Sequence, residues 1–123
     1  MKKEDLTAMD FLLHMLEAAD CVLQYTSGMS REQFYANKLV QDAVIRNIEI
    51  LGEAANNLLY SDPEIAVRFP SIPFVQIYGM RNRVSHGYFA VSLGMIWDSV
   101  EVDVPELREK IMSVLEAFEE GGK

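Results

Sequence analysis

The amino-acid sequence predicts an all-α protein, folded as a single up-and-down bundle of four to five helices. Half of its 123 residues are apolar. Along most of the chain they recur three or four positions apart, which is the period of a helix with one buried face. Runs with the two-residue period of a strand extend over only a few residues. A chain of this length has room for one domain, which we place at residues 1–123.

The first long helix is expected at about residues 5–26. This stretch lacks proline and glycine, and its apolar residues form a helical stripe: Met9, Leu12, Leu13, Leu16, Ala19 and Leu23. Residues 27–30, Ser-Gly-Met-Ser, interrupt the pattern. Ser30 is followed by Glu32 and Gln33, the sequence of an N-cap with a capping box, so a short helical turn should begin there.

A second long helix is expected at residues 37–59. Its apolar positions are again three or four apart: Val40, Val44, Ile48, Leu51, Ala55 and Leu58. Glu49 and Glu53 fall on one side of this helix. Asp62 and Pro63 stand in the order of an N-cap and a first turn, which predicts a short helix ending at Arg68.

The remaining helices follow two prolines, at positions 70 and 73. One helix should run from Phe74 to about Ser85, because Gly87 can adopt the left-handed conformation that ends helices. The final pair is expected at residues 92–103 and 104–119. We place the division between them at Pro105, since proline is accommodated best in a first helical turn.

The charge of the chain is unevenly distributed. The net charge is −8, which disfavours phosphate binding in general. However, residues 65–97 contain no carboxylate while including four basic side chains: Arg68, Arg81, Arg83 and His86. A local positive field is therefore expected there. Residues 98–120 carry eight carboxylates and have the composition of a solvated helical face.

The sequence also argues against several classes of protein. No stretch approaches the roughly 18 uncharged apolar residues that a membrane span needs. The first residues are charged and do not resemble a signal peptide, so a cytoplasmic location is expected. Cys21 is the only cysteine, which excludes an intrachain disulfide and a cysteine-based metal cluster. Its apolar neighbours indicate a buried thiol.

The residues best suited to chemistry lie in the segment 81–88, Arg-Asn-Arg-Val-Ser-His-Gly-Tyr. They could support cleavage of RNA without a metal or other cofactor, by attack of the ribose 2′-hydroxyl on its own phosphate. That reaction needs a group to take the hydroxyl proton and cations to stabilise the phosphate oxygens. Histidine side chains can change charge near neutrality, so His86 could serve as base or acid, and Arg81 offers a permanent charge on a rigid fork of donors. Asn82 and Ser85 could orient the ribose.

Helical geometry limits how these groups can meet. Residues five apart on a regular helix point about 140° away from each other. Arg81 and His86 would therefore not face one phosphate from an unbroken helix. We expect the chain to leave the helix around His86, which Gly87 permits, and a second copy of the protein to complete the site.

A purely structural interpretation competes with the chemical one. A histidine near the C-terminus of a helix interacts favourably with the helix dipole, and Arg81 could simply pair with Glu49 or Glu53. His14 lies within an amphipathic helix and is expected to be an ordinary surface or core residue.

The segment also matches the pattern R-x4-H-x-Y, in Arg81, His86 and Tyr88. This pattern resembles the signature of HepT toxins, within the HEPN superfamily of helical ribonucleases. Two flanking stretches are similar to that family as well: residues 78–83, Tyr-Gly-Met-Arg-Asn-Arg, and residues 46–55, in which Arg46, Glu49, Gly52, Glu53, Ala54 and Ala55 carry the likeness. The resemblance covers most of the chain.

The resemblance implies a HEPN-like bundle that forms a homodimer, with two copies of the motif facing one cleft. It further implies the toxin of a type VII toxin–antitoxin system, a metal-independent endoribonuclease acting on cellular RNA, with transfer RNA a target class. The expected partner is a minimal nucleotidyltransferase antitoxin that transfers AMP to Tyr88. Asn82, Arg83 and Ser85 are expected to assist Arg81 and His86, and Arg46 and Glu53 to support them from the long helix.

Two other functions remain open at this stage. The chain could be a noncatalytic helical dimer that binds a nucleotidyltransferase and nucleotides, with the arginine and histidine groups as a phosphate pocket. It could also be a structural acidic bundle, although that interpretation leaves the segment without carboxylates unexplained.

Overall fold

The computed structural model describes residues 7–86 and 92–121, apart from the side chains of residues 83, 85, 86, 119 and 120. Every regular element in this part of the chain is helical. The elements are α1 (Ala8–Tyr25), α2 (Arg31–Tyr35), α3 (Lys38–Ser61), α4 (Ile65–Arg68), α5 (Phe74–His86), α6 (Leu93–Asp98), a π-helical turn (Ser99–Asp103) and α7 (Val104–Gly121). The all-α prediction is confirmed, and the bundle is built mainly from the longer helices α1, α3, α5 and α7.

Side chains at the helix starts explain where the elements begin. Thr7 caps α1 in a capping box with Asp10, so the helix begins three residues later than the sequence pattern suggested. Ser30 caps α2 through a capping box with Gln33, as predicted. Asn37 caps α3 by accepting a hydrogen bond from the Val40 amide at 3.1 Å. Each cap satisfies an amide that has no partner within its helix.

Two hydrophobic clusters define the direction of the helices. The first joins the start of α1 to the end of α3, the start of α5 and the middle of α7; it includes Phe11, Met15, Leu58, Phe74 and Ile111. The second joins the end of α1 to the start of α3, the end of α5 and the π-helical turn; it includes Val22, Val44, Ile48, Val84 and Val100. Consecutive long helices therefore run antiparallel, as an up-and-down bundle requires.

The end of the chain differs from the prediction of two helices divided at Pro105. The chain stays helical from α6 into α7, and the irregularity lies just before Pro105, in the π-helical turn. Ser99 is the first residue of this turn and Val104 follows its last residue. Both have right-handed helical backbone angles. A proline ring clashes with the carbonyl four residues earlier and supplies no amide hydrogen. A wider turn before Pro105 accommodates both effects without breaking the helix.

Two charged contacts join helices that are distant in sequence. Arg108 of α7 donates from Nε to Oδ1 of Asp20 in α1. Arg31 of α2 donates to Asp98 of α6 at 2.9 Å and to the hydroxyl of Tyr35 at 3.0 Å. These hydrogen bonds raise the pKa of the Arg31 guanidinium above its ordinary value. Within the described residues, no helix is long and apolar enough to cross a membrane.

The structure corrects the expected environment of Cys21. Its side chain is half-buried, and it lines a groove between α1 and α3. A hydrogen bond with Cys21 raises the pKa of the Tyr25 phenol. The residue lies beside buried apolar neighbours but on the outer side of α1, which the helical stripe alone did not distinguish.

Candidate functional site

At Arg81, α5 comes close to the backbone of α3 at Gly52. Gly52 is buried in the contact between these helices. A methyl group added to Gly52 would overlap Arg81 Cβ, lie 2.8 Å from Arg81 Cγ and lie 3.2 Å from the Ile77 carbonyl oxygen. The aliphatic stem of Arg81 therefore rests directly against the α3 backbone, where only glycine leaves enough space.

The guanidinium of Arg81 is also constrained at its head. Its Nη1 donates to Oδ1 of Asn82 at 3.0 Å. Its Nε is buried and has no acceptor among the described residues. A buried donor without a partner costs about 1–3 kcal/mol, and more when the group is charged. Such groups are rare in folded proteins, and functional positions are one of the places where they persist.

The other motif residues are placed only in part. His86 is the last residue of α5, so the helix continues through it and does not end at Ser85. The backbone around Arg81 and His86 is helical throughout, which keeps the two residues about 140° apart. The predicted departure from the helix can therefore begin only after His86. Arg83 and Ser85 belong to α5, but their side chains lie outside the described part, and so does the whole of Tyr88.

The expected supporting residues of α3 do not gather around Arg81. Arg46 is exposed on this helix. Glu53 is also exposed, and it lines the groove between α1 and α3 together with His14 and Cys21. Gly52, one position earlier, faces α5 instead. The suggested ion pair between Glu53 and Arg81 is absent from the described structure, because successive helical positions differ in direction by about 100°.

Arg68, a basic residue of the carboxylate-free segment, has partners of its own. Arg68 pairs with Asp62 at 2.7 Å, and its guanidinium lies 5.8 Å and 5.9 Å from the ring centres of Phe69 and Phe118. Those rings pack against the first hydrophobic cluster. Arg68 is thus partly neutralised and stays with the packing of α4 and α7, so it does not add to a positive field at Arg81.

A cleft also lies beside α5. It has a volume of about 350 Å³ and separates α5 from the π-helical turn and α7, with Ile77, Met80, Asp103, Val104 and Lys110 among its walls. Arg81 is not part of its lining. His14, whose ring makes an edge contact with Phe11 at 6.3 Å, is likewise remote from this face, in the groove on the α1 side. Among the described residues, no group of three metal-ligating side chains is close enough to hold a metal ion.

Sequence reasoning identified Arg81 and Asn82 but did not anticipate their contact. It also quoted Gly52 only as part of a sequence pattern. The available signal was a glycine in the interior of a long apolar helix, which often marks a close approach of another backbone or side chain. That signal does not reveal which residue approaches.

Comparison with known proteins indicates a family. The model of the family described as "Ribonuclease HepT-like" matches residues 15–114. A protein of Methanocaldococcus jannaschii, named as a γ-glutamylcyclotransferase and provisionally as an RNase, is 37% identical over 109 residues. That match covers 89% of this chain but only 48% of the relative, so this chain spans about half of its length.

Other relatives match over nearly their whole length. A second protein of M. jannaschii, named provisionally as an RNase, is 32% identical over 97% of this chain and 94% of its own. A protein of Thermococcus cleftensis, named provisionally as ribonuclease HepT, is 35% identical over 82% of this chain and 89% of its own. No solved structure matches this chain.

Proposed function

This chain belongs to the HepT-like ribonuclease family, and we propose that it is the toxin of a type VII toxin–antitoxin system that cleaves cellular RNA. The observation that carries the proposal is the constrained guanidinium of Arg81, in a segment that matches the complete R-x4-H-x-Y pattern. An arginine held in one orientation can bind a phosphate with little loss of side-chain entropy.

The proposed reaction needs no metal ion. His86 takes the proton from a ribose 2′-hydroxyl, whose oxygen forms a bond to the adjacent phosphorus. The bond from that phosphorus to the 5′-oxygen of the next nucleotide breaks, the leaving oxygen takes a proton from water, and the proton held by His86 returns to the solvent. Arg81 binds the phosphate oxygens, on which negative charge increases in the transition state. The products are a 2′,3′-cyclic phosphate and a free 5′-hydroxyl.

A second copy of the chain is part of this proposal. Positions 81 and 86 lie about 140° apart around one helical segment, so a single α5 does not easily bring both groups to one phosphate. A homodimer with two-fold symmetry brings two α5 helices to one axis, where Arg81 of one copy can act with His86 of the other. Arg83 and Ser85 would assist from the same helix.

The proposed regulation acts on Tyr88. A minimal nucleotidyltransferase antitoxin would transfer AMP from ATP to the phenol oxygen, releasing pyrophosphate. Tyr88 follows His86 by two residues, so the added phosphate would lie close to the position proposed for the RNA phosphate. The attached negative charge would repel RNA and occupy Arg81. The cellular RNA attacked, with transfer RNA as the first candidate, belongs to the same proposal.

The test is cleavage of total cellular RNA by the purified protein in the presence of EDTA. His86→Ala should abolish cleavage, since no other proposed group takes the 2′-hydroxyl proton. The matched control is His14→Ala, which removes the other histidine of the chain from the distant α1 face and should leave cleavage unchanged.

Two outcomes would contradict the proposal. Equal cleavage by the wild type and His86→Ala would exclude His86 from the chemistry. Absence of cleavage by folded wild-type protein, shown by mass spectrometry to carry no AMP, would favour the noncatalytic module that binds a nucleotidyltransferase and nucleotides.

A further inference from the structure

A glycine occupies the interior of α3, where glycine destabilises a helix relative to alanine. Gly52 lies within the 24 residues of this helix and is buried. It is not at a turn or at either end of the helix, so the need for an unusual backbone angle does not explain it. The reason for a glycine at this position therefore lies in the atoms that surround it.

That environment is the stem of Arg81. A Cβ atom at position 52 would overlap Arg81 Cβ and approach Arg81 Cγ to 2.8 Å. The first of these atoms is attached directly to the α5 backbone, so it could not move aside without shifting α5. Gly79 provides a contrast within α5 itself, since a Cβ atom there would meet no described atom within 4 Å beyond its own stretch of helix.

The other end of the Arg81 side chain is held by Asn82. Nη1 donates to Asn82 Oδ1 at 3.0 Å, while Nε is enclosed without an acceptor among the described residues. The side chain is thus restrained near its root by the α3 backbone and at its head by the neighbouring amide. A long side chain that is free in solution would lose more entropy on binding a ligand.

We propose that Gly52 and Asn82 are positioning residues, which hold the guanidinium of Arg81 in the orientation that binds an RNA phosphate. This inference rests on the proposed function. It gives Asn82 a role toward Arg81, where the sequence had suggested the ribose, and it gives Gly52 a role beyond the packing of α3. Neither residue contacts the reacting atoms; both act through Arg81.

The direct test measures the order of the Arg81 side chain by ¹⁵N NMR of its Nε–H group, without RNA. Arg81→Lys identifies the signal by removing it. The wild type should show slow hydrogen exchange and a rigid Nε–H vector. Gly52→Ala and Asn82→Ala should bring both measurements close to those of the exposed Arg46, whereas Gly79→Ala, the matched glycine control, should leave them unchanged.

Asn82→Asp retains an acceptor oxygen and should retain the ordered signal. Asn82→Ala keeps the test decisive if Gly52→Ala does not fold, because it removes only a half-buried amide. An Arg81 signal that stays ordered in folded Asn82→Ala protein would overturn the role of Asn82. The same result in folded Gly52→Ala protein would overturn the role of Gly52.

A second measurement links this order to RNA. The probe is a mixed-sequence RNA oligonucleotide with 2′-O-methyl groups, which cannot be cleaved by 2′-hydroxyl attack. Its binding should be about tenfold weaker for each of three single variants, Gly52→Ala, Asn82→Ala and Arg81→Ala. In protein that already carries Arg81→Ala, adding Gly52→Ala or Asn82→Ala should not weaken binding further. Additive losses would show that Gly52 and Asn82 act independently of Arg81 and would overturn the inference.

The two parts of the test can fail separately. The NMR signal is measured without RNA. If Gly52 and Asn82 keep the Arg81 side chain ordered but the wild-type protein does not cleave RNA, only the proposed function is contradicted. Wild-type protein that cleaves RNA with a disordered Arg81 would contradict only the positioning inference.

Discussion

At the scale of single residues, Arg81 depends on contacts with two helices. Its stem needs the missing side chain of Gly52 in α3, and its head is bound by Asn82 in α5. A charged side chain that is fixed before its ligand arrives gives up little entropy on binding. Arg81 also differs from Arg68 in its partners: Arg68 is paired with Asp62, while Arg81 has no carboxylate partner among the described residues.

The proposed regulatory role of Tyr88 can be tested by removing its phenol oxygen. Tyr88→Phe removes the phenol that would accept AMP, so the variant should stop growth even when the nucleotidyltransferase is produced with it. Tyr78→Phe is the matched control and should remain neutralised by the antitoxin. Growth is measured on induction of each pair. The contrary result is that Tyr88→Phe stops growth when produced alone but allows normal growth when produced with the antitoxin. It would show that neutralisation does not need this oxygen.

At the scale of elements, the starts of three helices and the irregular turn before α7 follow from identifiable side chains. Thr7, Ser30 and Asn37 each cap a helix. Pro105 is preceded by a π-helical turn, which also lines the cleft beside α5 through Ser99 and Asp103. The local chemistry of a few residues thus sets the position of these three helix starts.

The capping box of α1 predicts a dependence of stability on pH. Hydrogen bonds donated by the amide and the hydroxyl of Thr7 lower the pKa of the Asp10 carboxyl below its ordinary value of 3.8. A carboxyl with a lowered pKa in the folded state contributes stability above its unfolded pKa, and this contribution is lost as the pH falls through the folded pKa.

The expected result is that Asp10→Asn is less stable than the wild type at neutral pH and that the difference shrinks as the pH falls below 3.8. Urea unfolding of both proteins, from neutral pH down to about pH 2, measures this difference. Thr7→Val serves as the matched control, since it removes the hydroxyl and should reduce the pH dependence. A difference that stays constant over the whole range would show that the carboxylate charge plays no part in the cap.

At the scale of the whole molecule, the antiparallel bundle places Arg81 and His86 on one helix, at positions about 140° apart around its axis. The net charge of −8 is carried largely outside residues 65–97, so an acidic protein can still present a basic segment to RNA. Asp98 and Asp103 nevertheless approach the α5 side chains Met80 and Val84 across a groove, which confines any positive field to part of α5.

Mixing two inactive variants tests whether the site is shared between copies. Arg81→Ala and His86→Ala should each be inactive alone. If Arg81 of one copy acts with His86 of the other, a heterodimer regains one intact site, and a fully exchanged equal mixture should recover about one quarter of wild-type cleavage. Native mass spectrometry verifies the exchange. No recovery despite abundant heterodimers would place both groups of each site in one chain.

Much of the fold was predictable from local signals. The helical period of apolar residues predicted the long helices, and Ser30 and Asn37 were found at or beside the expected starts. The Thr7 cap was missed because the apolar stripe does not show at which residue the helix begins. The π-helical turn was missed because proline indicates a local strain but not whether the helix breaks or widens to relieve it.

The sequence by itself determined the helical class, the order of the helices and the one segment in which arginine, histidine and tyrosine occur together. These features depend on residue types and on spacing along the chain. Only the tertiary structure decided that Arg81 rests on Gly52, that Glu53 faces α1, that Arg68 is paired elsewhere and that Cys21 is half-buried. Those outcomes depend on the relative rotation and approach of helices, which are set by packing among residues far apart in the chain.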